Sequence, residues 1–400
     1  MHDRMSGVSL NDMQIRKAAA FSILETFCQQ LEPTETQEAR AKTSYEAVGG
    51  WLAESDHPVL TCTLIYPQGS VAHCTMVKPI GKNEHDVDLI SFLKGATRFT
   101  PPAYVKKEIG DRLAANDLYK DKLEEMPRCW RINYANEFHL DITPAIKNPD
   151  CDNGGELVPD KNLKEWKPSN PGGFRDLFAK RAALVPQSWV RKTALVAAAD
   201  SADIIPFPTK KAVKGVLRRT VQLLKRHRDV FFQKQDPCLA PISIIITTLA
   251  SKSYEWCVVQ DRSDNDFDLL LDTIRMMPHF IESDVFYGQK QWFVWNETTV
   301  GENFAEKWNN DERRAKAFFH WHENALLDFT QIIEADGLDG IGNQLKKFLD
   351  ASTVQDAISA VTKNVTAARV GGTLVTGVTG LSSVPSAARA SVPKNTFYGR

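Results

Sequence analysis

Two acidic strands and one small turn are the parts of this chain best suited to chemistry. In Glu84-His-Asp-Val-Asp-Leu-Ile90 polar and apolar residues alternate, so on a strand Asp86 and Asp88 project from one face while Val87 and Leu89 enter the core. Carboxylates held that close repel, and burying them is unfavourable by several kcal/mol unless a cation lies between them. Mg²⁺ suits such a site, with Mn²⁺ as its substitute, because it takes few carboxylates and completes its shell with phosphate oxygens. A second strand, Phe138-His-Leu-Asp-Ile142, puts Asp141 on the face opposite Phe138, Leu140 and Ile142. Upstream, Tyr66-Pro-Gln-Gly-Ser-Val71 breaks a strand. There Gly69 admits close backbone approach, and Ser70 adds a hydroxyl to N–H groups that can hold phosphate oxygens. Three carboxylates converging at a sheet edge can hold two metal ions for in-line phosphoryl transfer, one activating a hydroxyl and one neutralising the leaving pyrophosphate. Singly, an Asp-x-Asp or a Gly-Ser pair is commonplace. In the order strand, turn, Asp-x-Asp strand, lone-Asp strand they point to this chemistry.

The positioning elements follow from periodicity. Helices are predicted over about 10–30 and 34–54, the second with Thr34 as cap and Gln37 as the far member of a capping box. Val59–Tyr66, Asp86–Leu93 and Glu137–Thr143 read as strands, and Pro102–Glu125 as a helix. After the break Ile205-Pro-Phe-Pro208 a long helix is expected over Thr209–Phe232, with others at 241–252, 265–277, 301–310 and 311–334. The fold class is therefore α+β: a mixed-sheet domain over 1–205 with its long N-terminal helix, and a helical lobe over 206–350. The last fifty residues carry thirteen Ser or Thr and only six charged side chains. A flexible Gly/Ser/Thr-rich tail over 351–400 is expected there, with a terminal helix over Asp356–Ala368 as the alternative.

Lysine plus arginine number 49 against 50 acidic residues, so gripping nucleic acid by bulk charge is not supported. A hydrophobic content of 42% excludes a disordered chain. Seven scattered cysteines without a CxxC read as free thiols in a reducing compartment. With no secretory signal pattern and no membrane-spanning apolar run, a cytoplasmic protein is expected.

Beyond the three acidic residues and the turn, the chain carries Tyr45-Glu-Ala-Val-Gly-Gly-Trp-Leu52, Leu140-Asp-Ile-Thr-Pro144, Ser169-Asn-Pro-Gly-Gly-Phe174, Leu223-Leu-Lys-Arg-His-Arg-Asp-Val-Phe231 and Glu302-Asn-Phe-Ala-Glu-Lys-Trp308. Together these resemble the DNA-polymerase-β-like nucleotidyltransferases, and within them the bacterial cGAS/DncV-like enzymes (CD-NTases, with the SMODS domain), over residues 30–335. The resemblance implies a nucleotidyltransferase core packed on an OAS-like helical lobe, and synthesis of a cyclic di- or trinucleotide from NTPs, ATP first among them and GTP or others besides, for CBASS antiphage defence in the bacterial cytoplasm. It implies two Mg²⁺ on Asp86, Asp88 and Asp141, and nucleotide contacts from Gln68, Gly69, Ser70, Lys225 and Ser243. Operon partners of the ligation or HORMA type, and an effector reached through the product, belong to the same expectation. No counterpart of the zinc thumb of animal cGAS is present. The rivals are a linear 2′-5′ oligonucleotide synthase or other nucleotidyl transfer to an acceptor, and a catalytically silent nucleotide-binding scaffold.

Helical periodicity bears on Lys225 independently. Val213, Val216, Leu217, Thr220, Leu224 and Phe231 share one face, and Lys211, Lys214, Arg218 and Lys225 fall in a narrow arc away from it. A basic stripe facing an acidic cleft would attract nucleotides; a solvated helix face is the plain alternative. His320 and His322, two apart on a helix, point to different faces and suit no metal. Cys62, His73 and Cys74 match no zinc spacing and read as core packing, and so does Trp292-Phe-Val-Trp295. The terminus Phe397-Tyr-Gly-Arg400 could be conjugated to targets only after trimming to Gly399.

Overall fold

The computed structural model describes residues 10–81, 85–134, 137–160, 162–189, 214–335, 337–370, 375–377, 380–382 and 390–391. Helices α1 (Leu10–Leu31) and α2 (Glu35–Ala53) lead into strand β1 (Leu64–Pro67), the single turn α3 (Gly69–Ala72) and strand β2 (His85–Phe92). Then come α4 (Pro102–Ala114), α5 (Asp117–Lys120), β3 (Leu123–Glu125), β4 (Trp130–Tyr134), β5 (Phe138–Lys147), β6 (Glu156–Pro159), β7 (Trp166–Ser169) and α6 (Pro171–Ala182). The second half holds α7 (Gly215–Phe232), α8 (Ser243–Gln260), α9 (Asp266–Met276), the hairpin β8 (Glu282–Phe286) and β9 (Gln289–Phe293), α10 (Glu306–Asn310), α11 (Arg313–Gln331), α12 (Gly337–Leu345) and α13 (Ala351–Val370).

The first five strands form one sheet in the order β1-β2-β5-β4-β3, which β6 and β7 extend from the far end of β5. Strands β2 and β5 are parallel and the other pairs antiparallel, so the sheet is mixed. Its buried face carries Val87, Leu89, Ile132, Leu140 and Ile142, covered by Val48 and Leu52 of α2 and by Val105, Ile109 and Leu113 of α4. The Thr34–Gln37 capping box starts α2 as its sequence predicts. Gly110 lets α4 lie on the sheet, since a Cβ there would stand 2.2 Å from the Trp130 ring. A second apolar core, centred on α7, α8, α9 and α11, makes the helical lobe.

Several boundaries differ from expectation. Helix α1 buries Ala20, Ile23, Leu24, Phe27 and Leu31 in the helical lobe and not in the sheet domain, and Phe178 of α6 joins it there. The chain thus enters the helical lobe before it builds the sheet. The stretch expected as a flexible tail begins with α13, which packs along α1 and buries Val354 and Ala357. Three short strands, Val375–Gly377, Gly380–Ser382 and Ala390–Ser391, pair beyond it. The strand expected over Val59–Tyr66 is shorter, because Leu60 and Thr61 donate to the His57 carbonyl in a turn instead. The helix expected over Pro102–Glu125 stops at Ala114, where Asn116 caps a new turn, and the chain then enters β3. The hairpin β8–β9 interrupts a half expected to be helical, and it turns on Tyr287 and Gly288 at φ values of 49° and 79°. The break at 205–208, Lys211, Val213 and the terminus 397–400 lie outside the described residues.

Candidate active site

Sheet register assembles the acidic residues. On β2 and β5, Asp88 pairs with Asp141 and Asp86 with His139; on β5 and β4, Asp141 pairs with Arg131 and His139 with Asn133. Paired residues share a face, so Asp88, Asp141 and Arg131 form one row across the sheet, and Asp86, His139 and Asn133 the next. All three predicted aspartates therefore leave the same face, away from the core. Burial, and then the charges of Asp141 and Asp86, push the Asp88 carboxyl up to about 6. Repulsion of this kind marks a place for a cation.

One cation is already supplied by the chain. Arg131 donates from Nε to Asp141 Oδ1 and from Nη2 to Asp141 Oδ2, both at 2.7 Å, and its Nη2 lies 3.7 Å from Asp86 Oδ1. Among the described residues no three His, Cys, Asp or Glu side chains stand together at metal-holding distance. Both oxygens of Asp141 face the guanidinium. The donor set nonetheless fits a hard divalent ion: three carboxylates on one sheet face outnumber the Arg131 guanidinium and the Lys225 ammonium near them, and Asp88 retains the repulsion.

The turn before β2 is built against Asp88. Gln68 donates its backbone N–H to the Asp88 carbonyl at 2.8 Å, so Gln68 acts here through its backbone. Gly69 follows at φ +60°, and a Cβ there would stand 2.6 Å from Asp88 Oδ2. No side chain fits between the turn and the carboxylate. Gly69, Ser70, Asp86 and Asp88 line one side of a cavity of about 840 Å³, whose other side includes Lys225, Arg228, Asp229, Ser243 and Thr247 of the helical lobe. The acidic strand, the small turn and both helical-lobe candidates thus meet at one cleft, with Asp141 just behind Asp88.

The basic stripe of α7 resolves differently from expectation. The helix is buried nearly all round. Lys214 pairs with Glu32, while Arg218, Gln222 and Arg226 donate to the carbonyls of His73, Met76 and Lys78. Lys225 Nζ donates to Thr75 O at 2.9 Å, and burial, followed by the charge of Arg228, brings its amine down to about 8. Of the stripe's described members it is the one that lines the cavity. Ser243 is the first residue of α8 and accepts at Oγ from Arg228 Nη1 at 3.0 Å. Arg228 and Arg131 were not among the residues singled out by sequence. The alternation in Trp130-Arg-Ile-Asn-Tyr134, with Ile132 buried, is the signal that places Arg131 on the acidic face.

Of the remaining candidates only His73 borders the cavity, and the others stay apart from it. Cys62 and Cys74 are exposed, whereas His73 is buried against Phe174 and Phe178 with its imidazole lowered to about 4 by burial. His322 bonds the Ile274 carbonyl inside the lobe, and His320 is on the surface near Asn324. In Trp292-Phe-Val-Trp295 only Val294 is fully buried; Phe293 and Trp295 stack on each other, half exposed beside the hairpin. Among the described residues no helix is long and apolar enough to cross a membrane.

Residues 19–181 match the Second Messenger Oligonucleotide or Dinucleotide Synthetase (SMODS) domain. The chain is 30% identical over 397 residues to the c-di-GMP synthase of Roseivirga ehrenbergii, a span that covers 97% of this chain and 100% of that one. It is 28% identical over 221 residues to the cyclic dinucleotide synthase CdnG of Bradyrhizobium diazoefficiens, 51% of each chain. The solved structure of that CdnG in complex with GTP shares the fold, with a TM-score of 0.64 at 16% identity over 86% of this chain and 99% of the other. Matched from end to end to such a relative, the chain belongs to the SMODS-domain, cGAS/DncV-like nucleotidyltransferases, the bacterial enzymes that make cyclic oligonucleotides.

Proposed function

We propose that this enzyme joins two GTP molecules into cyclic di-GMP, a second messenger for CBASS antiphage defence, with Asp86, Asp88 and Asp141 holding two Mg²⁺. The observation that carries this reading is a single cleft with carboxylates on its sheet wall and Lys225, Arg228 and Ser243 on its helical wall. The choice of GTP rests on the end-to-end similarity to a protein named c-di-GMP synthase. When bound, the metal ions supply activation of a ribose hydroxyl and charge neutralisation at the departing pyrophosphate.

The chain's own residues do the positioning. The Gly69–Ser70 turn receives phosphate oxygens beside Asp88, where a larger residue at Gly69 would press on the Asp88 carboxylate. Lys225 and Ser243 hold the triphosphate from the opposite wall, and Arg228 fixes the Ser243 hydroxyl. A ribose oxygen bonds to the α-phosphorus of the second nucleotide, the bond from that phosphorus to the bridging oxygen breaks, and pyrophosphate leaves while the hydroxyl proton passes to solvent. A second round closes the ring.

Incubating the protein with Mg²⁺ and each labelled NTP, then treating the products with phosphatase, tests this directly. GTP alone should give a product whose phosphates resist removal. A phosphatase-sensitive product would mean a linear synthase, and equal turnover by the Asp86→Ala, Asp88→Ala double variant would move the site elsewhere.

A further inference from the structure

We propose that Arg131 is a built-in counter-ion to Asp141 that a metal ion must displace, so that metal and nucleotide load together and the three carboxylates alone hold metal weakly. The inference rests on the metal-binding reading of Asp86, Asp88 and Asp141. Arg131 and Asp141 face each other directly in the β4–β5 register, so the backbone itself places the pair. The guanidinium engages both carboxylate oxygens at 2.7 Å, and the two side chains are only 22% and 15% exposed. The fork also leans toward Asp86, at 3.7 Å, and so spans two of the three carboxylates.

A metal ligated by Asp141 must take at least one oxygen from this fork. A guanidinium stays charged at any working pH and matches phosphate oxygens as well as carboxylate ones. The exchange is therefore unfavourable while the cleft holds no phosphate, and favourable once a triphosphate offers Arg131 new acceptors. By linkage, nucleotide must strengthen metal binding by the factor that metal strengthens nucleotide binding. Arg131 acts twice in this account, on the metal site through Asp141 and directly on the incoming phosphate.

Direct Mn²⁺ binding, followed by electron paramagnetic resonance of the free ion, reads the effect without any turnover. Without nucleotide, Arg131→Gln should bind Mn²⁺ about ten- to a hundredfold more tightly than the parent, the factor expected when charge-assisted hydrogen bonds no longer compete. A non-cleavable GTP analogue should tighten Mn²⁺ in the parent and add much less in the variant. Arg131→Lys, which keeps the charge but loses the fork, should fall between, and thermal melting of each variant checks the fold. Equal or weaker Mn²⁺ binding by a folded Arg131→Gln overturns the counter-ion role and makes Arg131 a support for Asp141 instead. Asp88→Asn separates the two layers: if it leaves Mn²⁺ binding unchanged, the metal-site reading fails, whereas if it abolishes binding while Arg131→Gln does nothing, only the present inference fails.

Discussion

Replacing Gly69 with alanine should cost far more activity than stability. The new Cβ would lie 2.6 Å from Asp88 Oδ2, and ordinary contact begins near 3.4 Å, so the carboxylate must retreat by about 0.8 Å. Displacing a reacting group by roughly 1 Å lowers turnover by about a hundredfold, the size of loss expected in kcat. The backbone at Gly69 has φ +60°, where an alanine is disfavoured by about 1–2 kcal/mol. Alanine recovers about half to one kcal/mol by restricting the unfolded chain. The net loss of about 1 kcal/mol corresponds to a fall of roughly 1–2 °C in Tm for a chain of this length. Pyrophosphate release gives kcat, and a melting curve on the same sample gives Tm. Gly50→Ala is the control, since Gly50 lies inside α2 with no atom within 4 Å of its would-be Cβ, and alanine is the better helix former. A Gly69→Ala enzyme within threefold of the parent in kcat would refute the close packing of turn on carboxylate as a requirement of the reaction.

Two further outcomes follow from burial. Lys225 is lowered to about 8, below the 10.5 of a free lysine, so between those values the unfolded chain binds more protons and the parent gains stability as pH rises. Lys225→Met should lack that gain between pH 8 and 10 and should raise KM for nucleotide; parallel stability profiles with an unchanged KM would show that the amine is neither strained by burial nor used. Ending the chain at Asp350 removes Val354, Ala357 and Ile358 from the helical-lobe core, an expected loss of about 4 kcal/mol or more, visible as a lower Tm. An unchanged melting curve would mean that α13 contributes nothing to that core.

The parts of the site written in strand alternation were legible from the sequence. Asp88 and Asp141 each sit between buried apolar neighbours and Asp86 between buried His85 and Val87, and the period of two allows one outcome for their direction. What alternation cannot carry is register. Nothing in β2, β4 or β5 read alone says that Asp88 falls beside Asp141 and Asp141 beside Arg131; pairing across the sheet decides it. The C-terminal helix, open in the sequence only over Asp356–Ala368 and as an alternative to a flexible tail, begins earlier and packs, and this was not legible for a related reason. Its inward residues, Val354, Ala357 and Ile358, follow helical spacing, but they are small and few, and much of their weight is felt against α1, more than three hundred residues earlier.

The α7 stripe shows most clearly where one-dimensional reading stops. Residues 73–78 run between α3 and β2 without pairing to any strand, so their carbonyls need donors from elsewhere. Arg218, Gln222, Lys225 and Arg226 supply them, reaching His73, Met76, Thr75 and Lys78. A solvated face and a phosphate-seeking face were the two readings open to periodicity; of the stripe's described members Lys214 pairs with Glu32, while Arg218 and Lys225, with Gln222 and Arg226 beside them, fasten the segment that joins the Gly69–Ser70 turn to the acidic strand. Lys225 belongs to both structures, because an ammonium has three N–H donors and the Thr75 carbonyl takes one. The helical lobe therefore grips the sheet's acidic edge through the same residue that faces the cleft, and a nucleotide that draws on Lys225 also draws on the strap that sets the distance between the two walls.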